Sequence, residues 1–154
     1  MNNTPRIIYR QPVAMFSTHD IIHVKVGKFV LTRVHNANIL KTVLGSCVGL
    51  IGHRDWVGFM AHVKYHKETM DMLAQLRIDI QIECQCYLED FHLTMTGWNR
   101  GYNLPYDSGE MIVNSVLDNL DRKPDTVMHL RQKVGNVVEL HLQSGHAIST
   151  PIEE

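Results

Sequence analysis

Residues 47–63 read CVGLIGHRDWVGFMAHV, with an apolar run on each side of a short polar break. Two runs of strand-forming residues around such a break are typical of a β-hairpin. Arg54-Asp55 is not a favoured two-residue turn, so we expect a four-residue loop centred between these residues. This register sets Cys47 directly opposite His62. The other pairs that it predicts are Gly49/Met60 and Ile51/Gly58 on the same face, and the apolar pairs Val48/Ala61 and Leu50/Phe59 on the other face.

The facing cysteine and histidine suggest nucleophilic chemistry. A nucleophilic cysteine needs a sharp turn, nearby N–H groups for the oxyanion and an imidazole within hydrogen-bond reach. Gly45 can supply the turn because glycine takes φ values closed to other residues, and the N–H groups of Ser46 and Cys47 are candidates for the oxyanion site. Opposed Cβ atoms lie about 4.5–5.5 Å apart, which suits a thiolate–imidazolium pair and a pKa of Cys47 below about 8.5. The pattern leaves a second interpretation open, in which Cys47 is a small buried hydrophobe and His62 is structural.

The rest of the chain predicts further strands and two helices. β-Branched runs and alternation indicate strands over residues 21–26, 29–34, 39–44, 80–88 and 92–95, and a closing hairpin over 137–149. Helical spacing predicts one helix that contains Met70 and ends near Arg77, and a second over 111–120. We therefore expect one α+β domain over residues 20–154, mainly antiparallel, after a loosely ordered segment over residues 1–19.

Composition argues against several classes of protein. The 154 residues carry 15 Lys and Arg against 16 Asp and Glu, which disfavours the basic face that nucleic-acid binding needs. The three cysteines are too few, and odd in number, for a disulfide framework. The N-terminus shows no signal peptide, and the longest apolar run, residues 42–52, is far shorter than the roughly 18 residues of a membrane helix. We expect a cytoplasmic protein without membrane insertion, in which thiols stay reduced.

Two short motifs resemble the CheD family of chemoreceptor glutamine deamidases. They are Thr42-Val43-Leu44-Gly45-Ser46-Cys47-Val48 and Gly58-Phe59-Met60-Ala61-His62, which are similar to the family's T-x-L-G-S-C-V strand and turn and to its G-x-M-x-H strand. The resemblance spans roughly residues 21–65 and implies the family's layered α/β/β fold. It also implies Cys47 as nucleophile, His62 as base and Thr42 as a third member that orients the imidazole through its hydroxyl or carbonyl. It implies neither a cofactor nor a metal.

The resemblance further implies a reaction and its partners. Cys47 would attack the carboxamide of a glutamine in a methyl-accepting chemoreceptor, release ammonia and leave glutamate once the thioester is hydrolysed. The same machinery could cleave a glutamate methyl ester, and a CheC-like phosphatase is a further implied partner. The second half of the chain lacks the family's glycine-rich elements, so two alternatives stay open. One is a CheD-like interaction module without catalysis, and the other is a deamidase of a different target protein.

Two other groups of residues suggest binding. Cys84-Gln85-Cys86 would place two thiols on one face of a strand, with His92 six residues further on. These residues could begin a zinc site, but zinc commonly needs wider spacing and four ligands, so buried strand cysteines are the simpler interpretation. Trp98, flanked by glycines, suggests either a peptide-contacting loop or a side chain that pins a long loop to the body of the protein.

Overall fold

Two β-sheets and two helices make up the described part of the chain. The computed structural model describes residues 7–9, 21–34, 36–98, 109–130 and 134–152. In chain order the strands are β1 (Ile7–Tyr9), β2 (Ile21–His23), β3 (Phe29–Arg33), β4 (Ile39–Leu44), β5 (Val48–Arg54), β6 (Val57–Val63), β7 (His92–Gly97), β8 (Thr126–Leu130), β9 (Asn136–His141) and β10 (His146–Pro151). The helices are α1 (His66–Cys84) and α2 (Gly109–Asp118), with a short 3-10 turn at Leu88–Asp90.

The strands are divided between a six-stranded and a four-stranded sheet. The first sheet has the order β1-β3-β6-β5-β7-β8, and the second has the order β10-β9-β4-β2. Neighbouring strands are antiparallel except for β7 with β8 and β2 with β4, which are parallel. The predicted α+β class with mainly antiparallel strands is confirmed.

Alternation along the strands of the first sheet separates two hydrophobic cores. On β5, Leu50 packs in a core with residues of α1 and α2, whereas its neighbour Ile51 packs in a core with residues of the second sheet. Side chains point to opposite faces of a strand in turn, so the helices cover one face of the first sheet and the second sheet covers the other. The domain is therefore a layered α/β sandwich.

Helix α1 is longer than predicted. The alternation from Ile80 to Leu88 predicted a strand over residues 80–88, and that prediction is wrong. The helix continues to Cys84 because Ile80 falls on the buried face that Leu73 and Leu76 begin, at helical spacing. Gln85 ends it in the left-handed conformation, with φ 55° and its N–H donating to the Gln81 carbonyl.

The central hairpin is also tighter than predicted. Arg54 pairs with Val57, so the loop consists of Asp55 and Trp56 alone, and Asp55 takes a positive φ of 50°. The expected four-residue loop, and the register centred between Arg54 and Asp55, are wrong. The pairing is shifted by two residues, and because side chains alternate with period two, every residue keeps its predicted face.

Other predicted elements fare differently. The closing hairpin is confirmed as β9 and β10, and the strand over 92–95 as β7. The second helix is confirmed but begins at Gly109. Strand β8 was not predicted. Of the segment over residues 1–19 only β1 is described, so the prediction of loose order falls outside the described residues.

Candidate active site

Cys47 lies in the turn that joins the two sheets. Strand β4 of the second sheet ends at Leu44, and β5 of the first sheet begins at Val48. The Cys47 carbonyl accepts a hydrogen bond of 2.9 Å from the Trp98 N–H just beyond β7. Its side chain is half-buried and packs against the core between the two sheets. The turn therefore directs the thiol toward the space between the sheets.

A glycine outside the sequence motif makes room for this turn. Gly97, the last residue of β7, has φ 111°, and a Cβ there would collide with the Cys47 carbonyl oxygen. Gly45 was expected to supply the unusual backbone angle, but its φ is not positive. The close approach of β7 to the turn, which only glycine permits, replaces the role predicted for Gly45.

Thr42 and His62 form a hydrogen-bond chain across the two sheets. Thr42 Oγ1 lies 2.7 Å from His62 Nδ1 and donates to the Val24 carbonyl at 2.9 Å. A hydroxyl has one proton to donate, and the carbonyl is an acceptor only. Thr42 Oγ1 must therefore accept from Nδ1–H, which fixes the tautomer and leaves the lone pair on Nε2.

His62 is held rigidly and kept neutral. It is 2% exposed, and its backbone N–H donates to the Lys28 carbonyl while its own carbonyl accepts from the Gly27 N–H, both at 2.9 Å. Burial lowers the pKa of His62 to about 4, because desolvation penalises the charged imidazolium. Among the described residues Nε2 has no hydrogen-bond partner. At neutral pH the side chain therefore presents an unused proton acceptor, which is what a general base requires.

The corrected register changes how Cys47 and His62 are related. His62 lies opposite Gly49 rather than opposite Cys47. Cys47, two residues before Gly49, is therefore diagonal to His62 on the same inter-sheet side, a relation that usually separates Cβ atoms by about 7–8 Å. The described residues contain no hydrogen bond between Cys47 and the imidazole Nε2. The structure thus brings Thr42 into contact with His62 and places Cys47 on their side of the sheet.

The thiol is protonated in this resting arrangement. Burial raises the pKa of Cys47, and the nearby Lys64 ammonium partly opposes that rise. The expected thiolate–imidazolium pair, with a lowered pKa of Cys47, is therefore wrong for the resting protein. A neutral thiol and a neutral imidazole replace it, because burial disfavours both charges.

The turn also offers backbone donors. Ser46 is buried, with 8% exposure, and lies next to Cys47 in the bend. Within the described chain neither residue's N–H donates a backbone hydrogen bond. N–H groups that have no backbone acceptor and lie beside a thiol are suited to stabilising an oxyanion, which stays a prediction for these two residues.

A second polar bridge between the sheets was missed in the sequence. The Asn136 side chain, fully buried, donates to Thr96 Oγ1 at 3.1 Å and to Ser149 Oγ at 2.6 Å. Thr96 lies opposite Gly49 on β7, so His62, Gly49 and Thr96 form one row across the sheet. The alternation of threonines with Leu93 and Met95 along β7 was the available signal for a polar face.

No model of a known protein family matches the chain, and no curated protein matches it significantly. A base with a free lone pair, a thiol on the same side of the sheet and unused N–H groups together can support acyl transfer through a cysteine.

The other residues suggested by the sequence lie elsewhere. Cys84 ends α1 and Cys86 follows it, so the two thiols do not share a strand face. The described residues contain no group of three or more His, Cys, Asp or Glu side chains arranged to hold a metal ion. The Trp98 indole stacks against Gly109, where a Cβ would overlap it, as expected of a side chain that pins the loop. Residues 99–108 of that loop lie outside the described residues.

Neither of the helices in the described part of the chain has the combination of length and apolarity needed to cross a membrane.

Proposed function

We propose that this protein is a cysteine-dependent protein-glutamine deamidase of the cytoplasm that acts on methyl-accepting chemoreceptors. The observation that carries the proposal is the Val24–Thr42–His62 hydrogen-bond chain, which leaves the Nε2 lone pair of a neutral imidazole free. A purely structural buried histidine would be expected to use both ring nitrogens, because an unpaired buried polar atom costs about 1–3 kcal/mol. The resemblance to the CheD family supplies the substrate class.

Acylation begins with a neutral thiol. His62 Nε2 takes the thiol proton as the Cys47 sulfur attacks the carboxamide carbon of the substrate glutamine. The oxyanion that forms is stabilised by the N–H groups of Ser46 and Cys47. The imidazolium then gives its proton to the amide nitrogen and the C–N bond breaks. Ammonia departs, and the acyl group remains on Cys47 as a thioester.

Deacylation uses the same base. His62 Nε2 removes a proton from water, which attacks the thioester carbon, and the proton passes to sulfur as glutamate is released. Thr42 keeps Nδ1–H engaged throughout, so Nε2 alone exchanges protons. A glutamate methyl ester would react in the same way, with methanol as the leaving group. A CheC-like phosphatase is the regulatory partner that the resemblance suggests.

A second candidate is an interaction module of the same fold without catalysis. The raised pKa of Cys47 favours it, and so does the lack of a hydrogen bond between Cys47 and His62 within the described residues. A third candidate is a deamidase with a different protein target. The two enzymatic candidates share one site and differ only in substrate.

The test is ammonia release from a glutamine-bearing chemoreceptor fragment, with conversion of glutamine to glutamate followed by mass spectrometry. The wild type should release ammonia, and Cys47→Ser should not. Cys84→Ser is the matched control, because Cys84 is also half-buried but lies at the far end of α1. This variant should keep full activity.

The outcomes separate the three candidates. Binding of the fragment without ammonia release by the wild type would establish the interaction module. Neither binding nor release would point to another target, which can be sought with mixed peptide pools. Release that persists in Cys47→Ser would contradict the proposed chemistry.

A further inference from the structure

The β5–β6 register, extended by one residue beyond the ladder, places a lysine rather than His62 opposite the cysteine. The last pair of the ladder is Val48 with Val63. Cys47 and Lys64 directly adjoin this last pair, and the same register continued by one residue would set them opposite each other. Opposed residues project to the same side of a sheet, so Lys64 lies on the side of Cys47 and His62. An interaction between the Lys64 ammonium and the Cys47 thiol agrees with this placement.

The Lys64 side chain is held in position from the start of α1. Its Nζ lies 4.7 Å from the centre of the Tyr65 ring, a cation–π contact. Tyr65 precedes the first turn of α1, and its carbonyl accepts from the Glu68 N–H and the Thr69 hydroxyl, both at 3.2 Å. These bonds fix the backbone of Tyr65, and the Lys64 ammonium lies against the Tyr65 ring while it remains exposed to solvent.

We infer that Lys64 is a positioning residue for the nucleophile, with its ammonium placed to stabilise the Cys47 thiolate as it forms. The inference rests on the proposed function only in taking Cys47 as the nucleophile. It adds a permanent positive charge to a site whose imidazole is neutral. The charged or titratable groups described around the thiol are His62 on β6 and Lys64 just after that strand, with Glu68 of α1 next to Lys64.

A permanent cation would offset the free-energy cost of forming a thiolate from the neutral Cys47 and His62 side chains. Transfer of the thiol proton to His62 creates a thiolate in a half-buried position, where charge is penalised. The imidazolium compensates this only while it holds the proton. An ammonium opposite the sulfur is present before, during and after the transfer, so it lowers the free energy of the thiolate at each stage.

The test measures the thiol directly. The rate of alkylation by iodoacetamide, an uncharged reagent, follows the thiolate fraction, and peptide mapping isolates Cys47 from the other cysteines. Lys64→Met should slow alkylation of Cys47 about two- to fivefold at pH 7.5, the range expected when the cation of a charge pair is exposed to solvent. The rates should converge at a pH where the thiol is fully ionised.

Two variants make the result specific. Lys64→Arg retains the charge and should restore most of the rate. Lys67→Met removes an exposed lysine three residues away and should leave the pH profile unchanged. Superimposable profiles for the wild type and Lys64→Met would overturn the inference, as would an equal loss in Lys64→Met and Lys64→Arg. A shifted profile together with no deamidation would leave the inference standing while the proposed function fails.

Discussion

The two faces of the first sheet are built from the same strands but differ in chemistry. Toward the helices, β6 presents Phe59, Ala61 and Val63, all buried in an apolar core. Toward the second sheet, the same strand presents Met60 and His62. On β7 the contrast repeats, with leucine and methionine on one side and two buried threonines on the other.

One face of the sheet therefore contributes mainly to stability, and the other carries the polar groups of the candidate site. The helix face is held by burial and ring packing, including Phe59 and Phe91 with ring centres 5.3 Å apart. The inter-sheet face includes two buried polar bridges, Thr42 with His62 and Thr96 with Asn136. Buried polar groups must be paired, and paired groups fix orientation. The sheet thus places the candidate site on the face where buried hydrogen bonds supplement the apolar packing between the sheets.

The largest expected effect is loss of activity on the inter-sheet face. His62→Ala should reduce kcat/KM for ammonia release by at least about a thousandfold, because the base serves both half-reactions. A double variant with Cys47→Ser should be scarcely worse, since the two residues act as one unit. On the helix face, Leu73→Ala should instead cost about 3 kcal/mol of stability and keep kcat in the folded fraction. An equal loss of activity in the His62→Ala and Leu73→Ala variants would contradict the proposed difference in role between the two faces.

The next effect is the pH-dependent stability that His62 gives to the inter-sheet face. The pKa of His62 is about 4 in the folded protein and about 6.5 in an unfolded chain. The unfolded chain therefore takes up the proton first as the pH falls. The free energy of unfolding has its full value above about pH 6.5 and loses up to about 3 kcal/mol as the pH approaches 4.

Urea unfolding at pH 7 and pH 4.5 measures this loss. His62→Gln removes the titration while other acidic groups contribute equally to both proteins. The wild type should lose about 2 kcal/mol more than the variant between the two pH values. Parallel losses would mean that the imidazole is not buried as described.

The smallest effect concerns the group that orients the base. Thr42→Val removes the hydroxyl but keeps the shape, so Nδ1–H loses its acceptor. We expect about a tenfold fall in kcat, about 1.4 kcal/mol, with KM little changed. Thr42→Ser keeps the hydroxyl and should recover activity. A fall in KM alone, or no rescue by serine, would argue for a packing role.

The sequence predicted the faces of the hairpin better than its register. Period-two alternation assigned His62 and Cys47 to one side correctly, and a shift of two residues left that assignment intact. The register itself depended on the turn. Asp55 adopts a positive φ there, which aspartate tolerates, but the Arg54-Asp55 pair is not a sequence typical of a tight turn. Local turn chemistry was the weakest part of the prediction.

Features that depend on distant contacts could not be derived from local patterns. The Thr42–His62 bond joins two sheets, and the resemblance alone suggested it. The hydrogen bond between Asn136 and Thr96 joins residues that are 40 positions apart. Strand β8 is defined by its parallel pairing with β7. The length of α1 was misjudged because Ile82, an apolar residue of the strand predicted over residues 80–88, is 65% exposed on the helix.

The contact between β7 and the Cys47 turn limits any attempt to transplant the candidate site. A fragment ending at residue 65 contains every residue of both motifs, yet it lacks the Trp98 N–H that holds the Cys47 carbonyl and the glycine that lets β7 approach. In such a fragment the turn that carries Cys47 would lack its hydrogen bond to β7. The two motifs alone are therefore not sufficient to position Cys47. Reactivity should return only when the fragment is complemented in trans by a second piece that carries residues 66–154.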